Sequence, residues 1–172
     1  MPGCVAYIAA SLDGFIATAD GSVSWLEAFQ ETDYGYGEFF AGISTLVMGR
    51  ATYDQVLAFG PWPYAGKRCL VLSRRGIANP PPGVEAWRGD AASLAAHLAA
   101  LEGRVWVVGG GRLIAGLLAE GAITELDIFT MPVLLGRGIP LFAGGHPPAL
   151  SLTLLETRAW PNGVVRLRYA LG

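Results

Sequence analysis

Short apolar runs along the chain alternate with stretches in which apolar positions recur at helical spacing. Runs bounded by Gly, Pro or polar clusters read as buried strands, and a period near 3.6 residues reads as a helix with one buried face. Strands are therefore expected over residues 4–10, 45–48, 68–72, 105–108 and 125–133, and helices over 34–43, 51–59, 91–101 and 112–120. This alternation predicts an α/β domain on a mostly parallel, mixed sheet flanked by helices. The last two runs, "LSLTLLETRAWP" and "GVVRLRYALG", meet at Asn162-Gly163, a strong hairpin signal that makes the C-terminal end antiparallel. "NPPPG" at residues 79–83 is a surface loop, because proline lacks the backbone donor and fixes φ.

The 172 residues, 52% of them hydrophobic, suit one domain spanning 1–172. A net charge of −2 with only 15% charged residues leaves no basic field for nucleic acid. The opening run is interrupted by Ser11 and Asp13, far short of the roughly 20 residues a membrane span needs, and no basic leader precedes it. A cytoplasmic location with no membrane partner is expected. Mean hydropathy of +0.42 is high for a small monomer, which predicts a homodimer that buries apolar surface between subunits. Cys4 and Cys69 sit inside apolar runs as small hydrophobes, and His97 and His146 lie far apart, so no disulfide or metal site is expected.

Candidate chemistry gathers at the ends of the strands. In "VWVVGGGRLIAGLL" a strand ends in Gly109, Gly110 and Gly111 and a helix starts at once with Arg112. Such a turn presents backbone N–H groups at the positive end of a helix with no Cβ in the way, which suits a pyrophosphate. It departs from the G-x-G-x-x-G fingerprint, whose sixth position here is Ile114. Gly49, Arg50 and Thr52 follow another strand in "TLVMGRATY", and Ser73, Arg74 and Arg75 follow a third in "CLVLSRRG". Guanidinium forks and hydroxyls match phosphate oxygens, and the additional phosphate they would hold favours NADP over NAD.

These three motifs, in this order, resemble the dihydrofolate reductase fold family over nearly the whole chain. "AASLDGFIA" and "PVLLGRGIPLF" look closer to the pyrimidine reductase of bacterial riboflavin synthesis and its stand-alone relatives. The resemblance implies NADPH bound along the carboxyl ends of the strands. Gly109, Gly110, Gly111 and Arg112 would then hold the pyrophosphate, Gly49, Arg50 and Thr52 other cofactor phosphates, and Ser73 and Arg74 the adenosine 2′-phosphate. Ala9 and Ile16 match positions that meet the nicotinamide amide. Trp25 matches a tryptophan at the substrate side, after the loop "DGFIATADGSVSW" that covers the site. The function implied is reduction of a small heterocycle, of the 5-amino-6-(5-phosphoribosylamino)uracil reductase type, with dihydrofolate reductase or a nucleotide-binding module without turnover as alternatives.

Hydride transfer also needs a proton, and a carboxyl group of raised pKa is one source. Counting back from Gly49, Asp33 stands where the family's acid would be, and Thr130 matches the threonine that supports it; "TDYGYGEFF" equally suits Thr32 or Asp33 as a helix N-cap. Asp13, beside Gly14, is expected to shape the site. His97 reads as a structural histidine on an alanine-rich helix, His146 as a loop residue, and Trp62 as a ring wall or a core side chain.

Overall fold

The computed structural model describes residues 3–144 and 149–172. Strand β1 (Cys4–Ser11) is followed by β2 (Phe15–Ala17), a 3-10 turn (Ser24–Phe29), α1 (Tyr36–Ala41), β3 (Ile43–Gly49) and α2 (Arg50–Ala58). Next come β4 (Arg68–Leu72), β5 (Val84–Trp87), α3 (Ala91–Ala99), β6 (Arg104–Gly109) and α4 (Gly111–Ala119). The chain continues through β7 (Glu125–Met131), β8 (Ile139–Pro140), β9 (Leu152–Ala159) and β10 (Val165–Leu171). Eight strands form one sheet in the order β5-β4-β3-β6-β1-β7-β10-β9, while β2 and β8 pair as a small second sheet. The strands from β5 to β7 run parallel, and β10 and β9 close the sheet antiparallel.

Strand periodicity sends alternate side chains to opposite faces, and each face is covered by its own helices. Ala6, Val47, Leu70, Val105 and Val107 meet α3 and α4 through Leu94, Leu98, Ile114 and Leu117. Val5, Leu46, Met48, Cys69, Val71 and Trp106 meet Phe39 of α1 and Tyr53 of α2 on the other face. Leu117 is fully buried, so Leu117→Ala would cost about 2–5 kcal/mol. Cys4 and Cys69 are buried free cysteines whose thiols burial pushes up to about 12, so they serve the core rather than chemistry.

The C-terminal hairpin forms as expected, with Val165 opposite Ala159. Trp160 and Val164 close its loop by a 2.9 Å backbone bond, and Gly163 takes the left-handed conformation (φ 90°) that such loops require. Several elements differ from expectation. Residues 34–43 give a shorter helix, because Gly35 (φ 84°) caps α1 and Ile43 already belongs to β3. Neither Thr32 nor Asp33 is the cap; Asp33 instead accepts a bond from the Gly35 N–H at 2.8 Å. Strands β2, β5 and β8 and the 3-10 turn were not anticipated: the three strands are short, β5 follows the proline loop, and β8 contains Pro140.

Among the described residues no helix is long and apolar enough to cross a membrane, and no cluster of His, Cys, Asp and Glu could hold a metal. His97 stacks on Trp87 with ring centroids 4.8 Å apart, a packing role. Trp62 is half-buried and packs on the core against Tyr53 and Tyr64. His146 lies outside the described residues.

Candidate active site

A cavity of about 1120 Å³ opens along the carboxyl ends of β1, β3 and β6. Two helix starts point into it. Helix α2 begins after Gly49 and α4 after Gly110, and neither N-cap carries a side-chain hydrogen bond. Their first N–H groups are thus left to a ligand, at the positive ends of two nine-residue helices. The Gly109–Gly110 peptide is cis.

Gly110 has an ordinary φ of −85°, and a Cβ placed there would meet nothing nearer than Thr52 Oγ1 at 3.7 Å. Packing therefore does not demand glycine at this position; the added carbon would stand in the cavity, where a bound phosphate needs close backbone approach. Gly111 differs, because a Cβ there would lie 2.3 Å from the Pro140 carbonyl oxygen. One glycine keeps the cavity open and the next lets α4 pass under β8.

Ala9, Ile16, Gly49, Arg50, Thr52, Gly109, Gly110, Gly111 and Arg112 all line this cavity. Ser73 and Arg74 line a smaller one of about 350 Å³, together with Arg75, Asp54 and Arg50. Arg50 joins the two. Its Nε donates to Asp54 at 2.9 Å, and its guanidinium donates to Gly76 O at 2.7 Å and Ser73 Oγ at 3.2 Å. A cation tied down on three sides is oriented before any phosphate arrives. The sequence-derived positions thus line two adjoining cavities that share Arg50, and their residues fit a phosphorylated dinucleotide: open glycines, uncapped helix starts and the fixed guanidinium of Arg50.

The expected catalytic residues are not assembled there. Asp13 is exposed, and its carboxylate accepts from Ser11 Oγ at 2.7 Å, Gly136 N at 2.8 Å and Leu135 N at 3.1 Å. The Ser11 hydroxyl, followed by these backbone N–H groups, holds the carboxyl below its ordinary range, so it stays charged and donates no proton. Its work is to clamp the loop after β1 to the loop after β7, seconded by Leu12 N to Val133 O and Leu141 N to Gly14 O, each 2.9 Å.

Asp33 is exposed and outside the lining of both cavities. Thr130 does not support it: Thr130 pairs with Ala10 and Val165, so it alternates with Phe129 and Met131. Phe129 and Met131 face the cluster that holds Tyr34, next to Asp33; Thr130 faces the other side of the sheet. Trp25 also misses the cavity. Its indole belongs to the Phe129, Met131 and Trp160 cluster, and its Nε1 is buried without a partner among the described residues. Its neighbours Val23 and Leu26 form the wall instead.

Sequence reasoning missed Asp20, Gln55 and the segment from Gly138 to Pro140, all of which line the cavity. Gln55 carried a usable signal, since it stands three residues after Thr52 on one helix face. The others reach the site through long-range loop contacts that no local pattern encodes.

Comparison with known proteins agrees with this geometry. The RibD C-terminal domain family matches residues 73–166. The chain is 40% identical over 141 residues to the YwjB protein of Bacillus subtilis (strain 168), covering 80% of this chain and 81% of that one. A solved protein from Shewanella sp. PV-4, named for riboflavin biosynthesis, superposes with a TM-score of 0.85 at 32% identity over 99% of both chains. Dihydrofolate reductase from Enterococcus faecalis, solved with NADP(H), shares the fold with a TM-score of 0.66 at 18% identity, covering 99% of this chain and 96% of that one. With its strand-end motifs, its mixed sheet and these relatives in agreement, the chain belongs to the RibD C-terminal domain family, on the dihydrofolate-reductase-like fold.

Proposed function

We propose that the protein is a cytoplasmic, NADPH-dependent reductase of a small ring compound, related in chemistry to the riboflavin-pathway pyrimidine reductase. The observation that carries this reading is the pair of adjoining cavities through which Arg50 joins Ser73 and Arg74 to the Gly109–Arg112 turn. Gly110 and the start of α4 would take the pyrophosphate, while Ser73, Arg74 and Arg50 would take a further phosphate, the feature that separates NADPH from NADH. NADPH, when bound, supplies the hydride. Ile8, Ala9 and Ile16 would wall the nicotinamide end and keep water from it. Asp20, the carboxylate among the described lining residues, is held below its usual range first by the Thr18 hydroxyl, so solvent rather than this group is the proposed proton source. The same observation favours a second reading, a nucleotide-binding module without turnover, which a steady-state assay would separate. A homodimer belongs to the proposal, supported by exposed Leu152, Leu154 and Leu155 on the terminal strand β9.

The test is titration with NADPH and NADH by tryptophan fluorescence, beside an Arg50→Ala, Arg74→Ala variant. Each charge-assisted phosphate contact contributes about 1.5–3 kcal/mol, so a clear NADPH preference should collapse in the variant. If neither nucleotide binds the parent protein, the cofactor surface has been misassigned.

A further inference from the structure

The smaller cavity is not purely cationic. Arg50, Arg74 and Arg75 line it beside Ser73, and the Asp54 carboxylate lines it with them. Among the described residues its salt bridge is Arg50 with Asp54, while Arg74 and Arg75 have no carboxylate partner. A carboxylate is an unexpected wall for a cavity that is to hold a phosphate.

Asp54 stands one turn after Arg50 on α2, and its Oδ1 accepts from Arg50 Nε at 2.9 Å. That placement has two opposed effects on a phosphate. As an acceptor, Asp54 helps to aim the guanidinium; as an anion, it repels the phosphate that the guanidinium would hold. The first effect is redundant, because Arg50 Nη1 also donates to Gly76 O at 2.7 Å and to Ser73 Oγ at 3.2 Å. Both anchors belong to the turn after β4, where the buried Ser73 hydroxyl donates to Gly76 O at 3.2 Å and Ser73 N donates to Trp87 O at 2.9 Å.

The repulsion has no such counterpart. A cavity of about 350 Å³ is roughly 9 Å across, within the distance of about 10 Å over which charges act at 0.1 M salt. A ribose 2′-phosphate carries about −1.5 to −2 at pH 7 and meets the Asp54 charge, whereas an unphosphorylated ribose presents a neutral hydroxyl that a carboxylate accepts from. Resting on the cofactor reading above, we propose that Asp54 is a specificity-determining residue that limits how strongly this cavity prefers NADPH over NADH. The arginines create the preference, and the carboxylate sets its ceiling.

The test is titration of the parent protein and Asp54→Asn with NADPH and NADH at low salt, with Glu85→Gln as the control. Asparagine keeps an oxygen that accepts from Arg50 Nε and removes only the charge. Glu85 is an exposed carboxylate paired at 3.1 Å with Arg68, at the end of β4 remote from Ser73, so its loss changes the net charge equally. Asp54→Asn should bind NADPH about threefold to tenfold more tightly than the parent and NADH within about twofold, and the gain should shrink at high salt. NADPH binding that is unchanged or weaker in Asp54→Asn overturns the proposal, as does an equal gain for both dinucleotides or the same gain in Glu85→Gln. In each of those outcomes the parent still binds NADPH and the cofactor reading stands. A parent protein that binds neither dinucleotide overturns that reading and the proposal with it.

Discussion

Gln55 on α2 donates a 2.6 Å hydrogen bond to the carbonyl of Gly21, tying the helix that carries Arg50 and Thr52 to the loop that closes the cavity. The loop is otherwise held within itself, by Thr18 N to Ser22 O at 3.0 Å and Gly21 N to Thr18 O at 2.9 Å. One side chain thus sets how firmly an internally ordered turn sits over the site. A single hydrogen bond is worth about 0.5–1.5 kcal/mol net, so Gln55→Ala should speed NADPH release roughly twofold to tenfold. Stopped-flow release and deuterium uptake over residues 18–23 check this; no change in either would mean that the loop is held by something else.

The Asp13 clamp should make stability depend on acid. Because the folded carboxyl titrates below its unfolded value, it contributes stability at neutral pH, and that contribution fades as pH falls below about 4 and through the folded pKa. Asp13→Asn should therefore melt below the parent at pH 7, with the difference shrinking in acid. Thermal melts at pH 7, 4 and 3 decide it, and a difference that grows toward low pH would contradict the assigned sign.

Adjacent glycines should respond oppositely to one added methyl group. Gly110→Ala should fold and melt near the parent temperature yet bind NADPH at least about tenfold less tightly, since its Cβ enters the cavity. Gly111→Ala drives a carbon against the Pro140 carbonyl and should lose stability, by about 1–3 kcal/mol as overpacked sites do. Chemical denaturation beside nucleotide titration separates the two; an unstable Gly110→Ala that still binds normally would reverse their roles.

Asp127 is completely buried and receives two bonds from Arg166, at 2.8 and 2.7 Å, while Arg168 bridges Glu125 and Glu156 beside it. Removing one member of such a pair leaves the other charge without compensation. Asp127→Ala should cost about 3–5 kcal/mol, and the double change Asp127→Leu, Arg166→Met should recover most of that loss. Urea unfolding of the single and double variants gives the coupling, and a double variant as unstable as Asp127→Ala would show that the ion pair itself stabilises the fold.

The edge strand β9 presents Leu154 and Leu155 at 53% and 51% exposure, an apolar surface on the last strand of the sheet. Light scattering at micromolar concentration should give twice the chain mass, and Leu154→Glu should shift it to the monomer. A monomeric parent protein would remove the homodimer from the proposal.

Much of the cavity lining was legible because it is local. A strand followed at once by Gly49-Arg50 or by Gly109–Arg112 encodes both the turn and its chemistry, and β4 falls on the expected residues 68–72. That Asp33 and Thr130 lie apart was not legible, because counting back from Gly49 assumes a fixed helix start. Gly35 moved that start to Tyr36, and strand alternation put Thr130 on the far face. Asp13, Asp20 and Trp25 acquire their roles from loops that meet across the fold, where a turn-forming aspartate and a packed tryptophan look the same in sequence as catalytic ones.

Strand β1 sits in the middle of the sheet, yet Cys4 pairs with Val105 and Val5 with Glu125. Strand β1 thus stays unpaired until about 100 further residues have followed it, since neither neighbour exists before then. Closing that loop is an entropic cost incurred before the central contacts of β1 with β6 and β7 form. Until then "VAYIAAS" is an apolar strand with two open edges, the segment of this chain most exposed to misassembly during synthesis.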